Sequence, residues 1–228
     1  LPRLLDILIQ VCQTLAFAHE MGVIHRDLKP ANIIVGKFGE VYVLDWGLAK
    51  IKGAKSLVEG GISEEPLPQD LKLTPTGRHY GTPMYMSPEI ATGDPNLDER
   101  SDVFALGVVL FEMLTLHSFV DGEDIIEIKE KILEKPYPLP REVAPNRDIP
   151  RDLQALCMKA LQRKKSKRYP NVALFLEDLQ KFRHGEEISI YWYSGWEKLT
   201  RWNHRNAYLI LSLISAATGA GIFALFSG

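Results

Sequence analysis

Residues 25–32 read His-Arg-Asp-Leu-Lys-Pro-Ala-Asn, and Asp45-Trp46-Gly47 follows a short apolar run. No other stretch restricts the fold as tightly. Ile33-Ile34-Val35 and Val41-Tyr42-Val43-Leu44 are rich in β-formers, and Gly36-Lys37-Phe38-Gly39 between them is turn-forming. The spacing predicts a hairpin whose first strand follows Asn32 and whose second strand ends at Asp45. Asn32 and Asp45 then lie at the same open end. Upstream, Leu4, Leu8, Val11, Cys12, Leu15 and Ala18 recur at helical spacing, so a helix over 4–19 leads into the loop.

The residue types in this loop suit one kind of chemistry. Moving a phosphoryl group to a hydroxyl needs an acceptor for the hydroxyl proton, oxygen ligands for Mg²⁺, and positive charge beside the phosphate. Asp27 can accept the proton, and Lys29 can reach the phosphate as a point charge. Asn32 offers a neutral carbonyl oxygen and Asp45 a charged one. Singly, each residue has an ordinary alternative: His25 as a core histidine bonded to a backbone carbonyl, Asp27 and Asp45 as loop acids. Jointly they stand in the register of the protein kinase signature, with Asn five residues after the Asp of His-Arg-Asp and a second Asp-aromatic-Gly beyond.

The chain therefore resembles the C-terminal lobe of a eukaryotic-like Ser/Thr protein kinase. The resemblance implies Asp27 as catalytic base, Asn32 and Asp45 as Mg²⁺ ligands, and Lys29 as the mark of Ser/Thr specificity that also contacts the nucleotide. It implies ATP and Mg²⁺ as cofactors and proteins as substrates. His25 and Arg26 support the loop. Trp46 replaces the usual Phe.

Further segments match down the chain. Gly81-Thr82-Pro83-Met84-Tyr85-Met86-Ser87-Pro88-Glu89 is similar to the end of a kinase activation loop, with Ser87 where Ala is usual. Thr82 is expected to be a fixed structural residue near Asp27 and Lys29. Thr74 and Thr76, in the long Gly- and Pro-rich stretch before it, are either phosphorylation sites or solvated loop threonines. A phosphate there could pair with Arg26 and order the loop. Residues 102–114 are apolar nearly all round and predict a buried helix. By resemblance its Asp102 anchors the catalytic loop; the plain alternative is an N-cap. Arg168 matches the arginine that pairs with Glu89, the alternative being a solvent-facing member of a basic run. Helical patterns recur around 124–134, 151–163 and 171–183, with Pro-rich turns at 136–145. The fold class is α+β: a kinase-like lobe over residues 1–184, mainly helical with one short hairpin.

With 228 residues and a net charge of −2, nothing points to nucleic acid. Cys12 and Cys157 both fall in amphipathic helices and read as reduced core residues. Residues 207–226 carry no charge, and twenty helical residues reach roughly 30 Å, the thickness of a bilayer core. Residues 185–206 before them hold Lys198, Arg201 and Arg205 with Trp192, Tyr193, Trp196 and Trp202, a basic and aromatic juxtamembrane segment. Trp196, Leu199 and Trp202, at helical spacing, could lie along the membrane surface. This predicts a single-pass protein of the inner or plasma membrane with its lobe in the cytoplasm; the alternative is a buried terminal helix. Ser212, Ala216 and Ala220 recur every four residues, which fits either a homodimer contact or lipid-facing small residues.

No Gly-rich loop, strand Lys or partner Glu precedes Asp27, so the chain is expected to be a fragment that is inactive alone. Two other functions compete: a pseudokinase-like binding module tethered to the membrane, and a small-molecule phosphotransferase. The intact Asp27, Asn32 and Asp45 count against the first, and Lys29 with the Gly81–Glu89 segment against the second.

Overall fold

Apolar side chains three and four residues apart give helix α1 (Pro2–Glu20) one buried stripe of Leu5, Leu8, Val11, Cys12 and Leu15. Pro2 opens the helix where its missing N–H costs nothing. The computed structural model describes residues 1–46, 50–51 and 83–206. The expectations for Thr74, Thr76, Thr82 and the span 207–226 fall outside these described residues.

After α1 the chain forms a short strand β1 (Val23–Ile24), a 3-10 turn (Pro30–Asn32) and a hairpin of β2 (Ile33–Val35) and β3 (Val41–Val43). The hairpin register is antiparallel, with Ile33 opposite Val43 and Val35 opposite Val41. Gly39, at φ 92°, makes the turn that a side chain would strain. Strand β4 (Lys50–Ile51) returns to pair antiparallel with β1.

The remaining described chain is helical. It comprises α2 (Pro88–Thr92), α3 (Arg100–Thr115), α4 (Ile125–Leu133), α5 (Pro140–Val143), α6 (Arg151–Ala160), α7 (Val172–Arg183) and α8 (Gly195–Arg205). The predicted helices at 102–114, 124–134, 151–163 and 171–183 are thus all present. Helix α3 is buried on every side and packs against α1, α5, α6 and α7, so it is the pillar of the lobe. Helix α7 lays Val172, Phe175 and Leu179 against α1 and α6. The two cysteines are buried free thiols whose burial pushes their pKa values up, which keeps them unreactive.

Gly107 sets how closely α3 meets α6. A Cβ there would stand 2.9 Å from the Ala160 Cβ and 3.1 Å from Leu161. Gly107→Val is therefore expected to destabilise the lobe by about 1–3 kcal/mol through overpacking, read as a lowered midpoint in urea unfolding.

Beyond α7 the chain stays on the lobe. Ile188 and Tyr193 are buried, Ser189 donates its N–H and hydroxyl to Asp178, and the Tyr193 hydroxyl bonds Asp152 at 3.0 Å. Tyr193 therefore does not join the exposed aromatic belt that the sequence suggested. Its ring fills the core because a buried acid waits for its hydroxyl. Among the described residues no helix is long and apolar enough to cross a membrane.

Candidate active site

The loop between β1 and β2 is held from below by one carboxylate. Asp102, in the first turn of α3, accepts the backbone N–H of His25 at 2.9 Å and of Arg26 at 2.8 Å. Its Oδ2 also meets the His19 ring at 2.7 Å. Asp102 therefore serves as anchor, as expected from the family, and Glu99 rather than Asp102 occupies the N-cap position. This grip lets the loop take an uncommon backbone shape: Arg26 has φ 69°. A non-glycine residue in that region costs about 1–3 kcal/mol and persists only where its surroundings enforce it.

His25 is fully buried and ties the loop to the hairpin. Its Nδ1 accepts the Asp27 N–H at 3.3 Å, so the ring proton is on Nε2, which donates to the Leu44 carbonyl at 3.0 Å. The Leu44 N–H in turn donates to the Asn32 carbonyl at 2.8 Å. Asn32 and Leu44 thus close the open end of the hairpin, and Asp45 follows directly with its side chain exposed and φ 61°. The Trp46 ring lies tilted at 58° against His25, with centroids 4.6 Å apart, and donates its indole N–H to the Val43 carbonyl at 3.0 Å. The large aromatic that replaces Phe is partly buried against the core of the lobe.

Three of the predicted side chains meet at the loop. Lys29 Nζ lies 2.7 Å from Asp27 Oδ2. The Asn32 amide donates to the Asp27 carbonyl at 2.7 Å and leans on its carboxylate at 3.4 Å. With its nitrogen committed to Asp27, Asn32 has its carbonyl oxygen left as the acceptor end of the side chain. Asn32 and Asp45 are hard oxygen donors of the kind Mg²⁺ takes, and two protein ligands suffice when substrate phosphates and water complete the shell. Among the described residues no group of three or more His, Cys, Asp or Glu could hold a metal ion.

Glu89 and Arg168, expected to pair, also meet. Arg168 grips Glu89 with two bonds, at 2.6 and 2.7 Å, in a buried bidentate pair. Ser101 adds a third bond to Glu89 at 2.8 Å, and Arg168 also donates to the carbonyls of Arg100, Gln162 and Arg163. Burial pushes the Glu89 carboxyl up, but the Arg168 bonds and charge outweigh it and hold it below the ordinary value. The solvent-facing alternative for Arg168 is thereby excluded.

Sequence reasoning missed His19, Ser101 and the pairing of Tyr85 with Glu112 at 2.6 Å. Burial raises the Glu112 carboxyl, and the Tyr85 hydroxyl offsets this only in part. His19 and Ser101 have no motif around them, and Tyr85 lies within the Gly81–Glu89 segment without any local sign of its partner; each meets its partner through tertiary folding.

A helical lobe that holds an Asp-Lys-Asn cluster at the end of a hairpin followed by Asp45 brings together residue types suited to phosphoryl transfer. The chain belongs to the protein kinase domain family, whose profile matches residues 3–178. It is 38% identical over 183 residues to the serine/threonine-protein kinase PknD of Protochlamydia amoebophila, covering 80% of this chain and 18% of that protein. Against PknD of Chlamydia pneumoniae it is 38% identical over 185 residues, covering 79% of this chain and 19% of the relative. PknD of Chlamydia trachomatis serovar D is 35% identical over 188 residues, with 80% and 20% covered. The chain spans about one fifth of the length of these relatives.

Proposed function

We propose that the protein transfers the γ-phosphoryl group of ATP to serine and threonine hydroxyls of proteins, its own included. The observation that carries this reading is the cluster of Lys29 and Asn32 on Asp27, held in one geometry by the Asp102 anchor. Asp27 orients the incoming hydroxyl and accepts its proton as the new O–P bond forms. The bond from the γ-phosphorus to the bridging oxygen breaks, and ADP departs with that electron pair. Lys29, beside Asp27, supplies positive charge to the moving phosphoryl oxygens. Asn32 and Asp45 would hold Mg²⁺, which would supply positive charge against the charge developing on the transferred phosphoryl group.

Arg26 supports regulation by phosphorylation. Its Nε is buried without a hydrogen-bond partner among the described residues, and burial holds its pKa below the ordinary arginine value. A phosphate on Thr74 or Thr76 would provide the missing acceptor and charge. The exposed cross-strand pair Ile34 and Tyr42 supports an ATP-covering half seated on the hairpin. Residues 207–226 would span the inner or plasma membrane once, with 1–184 as the cytoplasmic lobe, 185–206 as the juxtamembrane segment, and Ser212, Ala216 and Ala220 as a homodimer contact.

The test is transfer of label from γ-labelled ATP by the full-length protein, followed by phosphoamino-acid analysis. Label on Ser and Thr that disappears when Mg²⁺ is chelated is expected. Label on Tyr alone, or no dependence on a divalent metal, would overturn the reading.

A further inference from the structure

We propose that α8 is a bilayer-docking helix, with Trp192, Trp196, Leu199 and Trp202 seated at the headgroup level of a phospholipid surface and Arg201 clamping the opposite edge to the lobe. The proposal rests on the membrane-span reading of residues 207–226.

The amphipathicity of α8 is inverted. A helix on a globular domain turns its apolar stripe toward the core. At about 100° per residue, Trp196, Leu199 and Trp202 share an arc of about 120°, and they are 76%, 49% and 51% exposed, with Trp192 just before them at 94%. Glu197 and Arg201, one turn apart on the other side, are less exposed than any of them. Arg201 bonds the buried Asp152 of α6, donates to the Glu186 carbonyl at 3.1 Å, and lies over the Tyr193 ring at 4.8 Å and near Phe182 at 5.7 Å. The helix is thus held by its polar side, and its aromatic side faces out.

Three adjoining features name the occupant. An exposed aromatic patch of this kind marks an interaction surface. Tryptophan favours the headgroup level of a bilayer over either water or hydrocarbon. The chain then runs from Arg205 through Asn206 straight into the twenty uncharged residues 207–226, so α8 ends where a span would begin. Within α8, Lys198 pairs with Glu187 at 2.8 Å and Arg201 with Asp152, so the lipid contact rests on the aromatic side chains rather than on free positive charge. Because Arg201 fixes α8 to Asp152, the docked helix would hold the lobe in one orientation on the membrane.

The full chain carrying W46F, W192F and W202F keeps Trp196 as its one tryptophan. It would be reconstituted into phosphatidylcholine–phosphatidylglycerol vesicles with bromines on the upper acyl chains, and flotation and Trp196 emission measured together. Flotation with quenching by about half is the expected result. Flotation with unquenched, red-shifted emission would overturn the docking and leave the span standing. Failure to float would overturn both. Blue-shifted but unquenched emission in a cross-linkable dimer would assign the face to a second copy of the chain and overturn the proposal. A second variant, Trp196→Cys, reads the same position through a polarity-sensitive dye, since Cys12 and Cys157 are buried; its emission should shift to the blue in vesicles, and an unshifted spectrum would count against docking.

Discussion

Asp27→Asn is expected to lower phosphoryl transfer by about 10²- to 10⁴-fold while leaving the fold in place. The substitution keeps the size and planarity of the side chain but removes the acceptor for the hydroxyl proton. The backbone bonds at this position do not depend on the carboxylate: the Asp27 N–H still meets His25 and its carbonyl still takes the Asn32 amide. Lys29 loses the carboxylate 2.7 Å away, so some of the deficit will reflect a displaced cation rather than a missing base. Lys29→Met separates the two. If Lys29 acts on the phosphate, its loss should fall on kcat even with Asp27 intact. Labelled-ATP kinetics on the full-length protein, with circular dichroism as the fold control, gives the answer. An Asp27→Asn rate within threefold of the parent would remove Asp27 from the chemistry.

The same loop shows why some features could be read in the sequence and others could not. The hairpin was legible because two β-rich runs flank a Gly-rich turn, so local propensity and final structure agree. The helices were legible because each carries an apolar stripe or, in α3, apolar residues all round. The meeting of Asp27, Lys29 and Asn32 was legible because their order in the chain is itself the signature. His19 was not: a lone histidine near a helix end has no pattern, and its partner Asp102 is 83 residues away. Tyr193 misled for a related reason. Its neighbours Trp192 and Trp196 are exposed, whereas the Tyr193 hydroxyl meets the buried Asp152, 41 residues away, and the Ile188 N–H, and its ring packs against Tyr191 and Arg201. Tertiary hydrogen bonds to buried acids recur through the lobe at Asp102, Asp152 and Asp178, and they leave no local trace in the sequence.

Arg168→Ala is expected to destabilise the lobe by about 3–5 kcal/mol, the cost of leaving a buried carboxylate without its cation. The pair itself is not the source of that number. Glu89 and Arg168 are both buried, and taking two charges from water offsets most of their attraction. The cost arises because Glu89 would keep its bond to Ser101 and lose the two from Arg168, while the carbonyls of Arg100, Gln162 and Arg163 lose a shared donor. Acid separates these contributions. In the parent, the Glu89 carboxyl is held below its ordinary value of 4.5, so its contribution is present above that pH and lost as pH falls through the lower folded value. In Arg168→Ala only burial and the weaker bonds remain, so the folded value rises above 4.5 and the sign reverses: the variant recovers stability as the carboxyl takes up a proton. The gap between parent and variant should therefore be widest near pH 7 and narrow toward about pH 4, measured as urea midpoints at each pH. A gap independent of pH would mean that the arginine acts through its contact with the Phe104 ring and the backbone carbonyls, not through Glu89. The double substitution Glu89→Gln with Arg168→Met removes both charges and should cost less than Arg168→Ala alone, because no buried charge is left to neutralise.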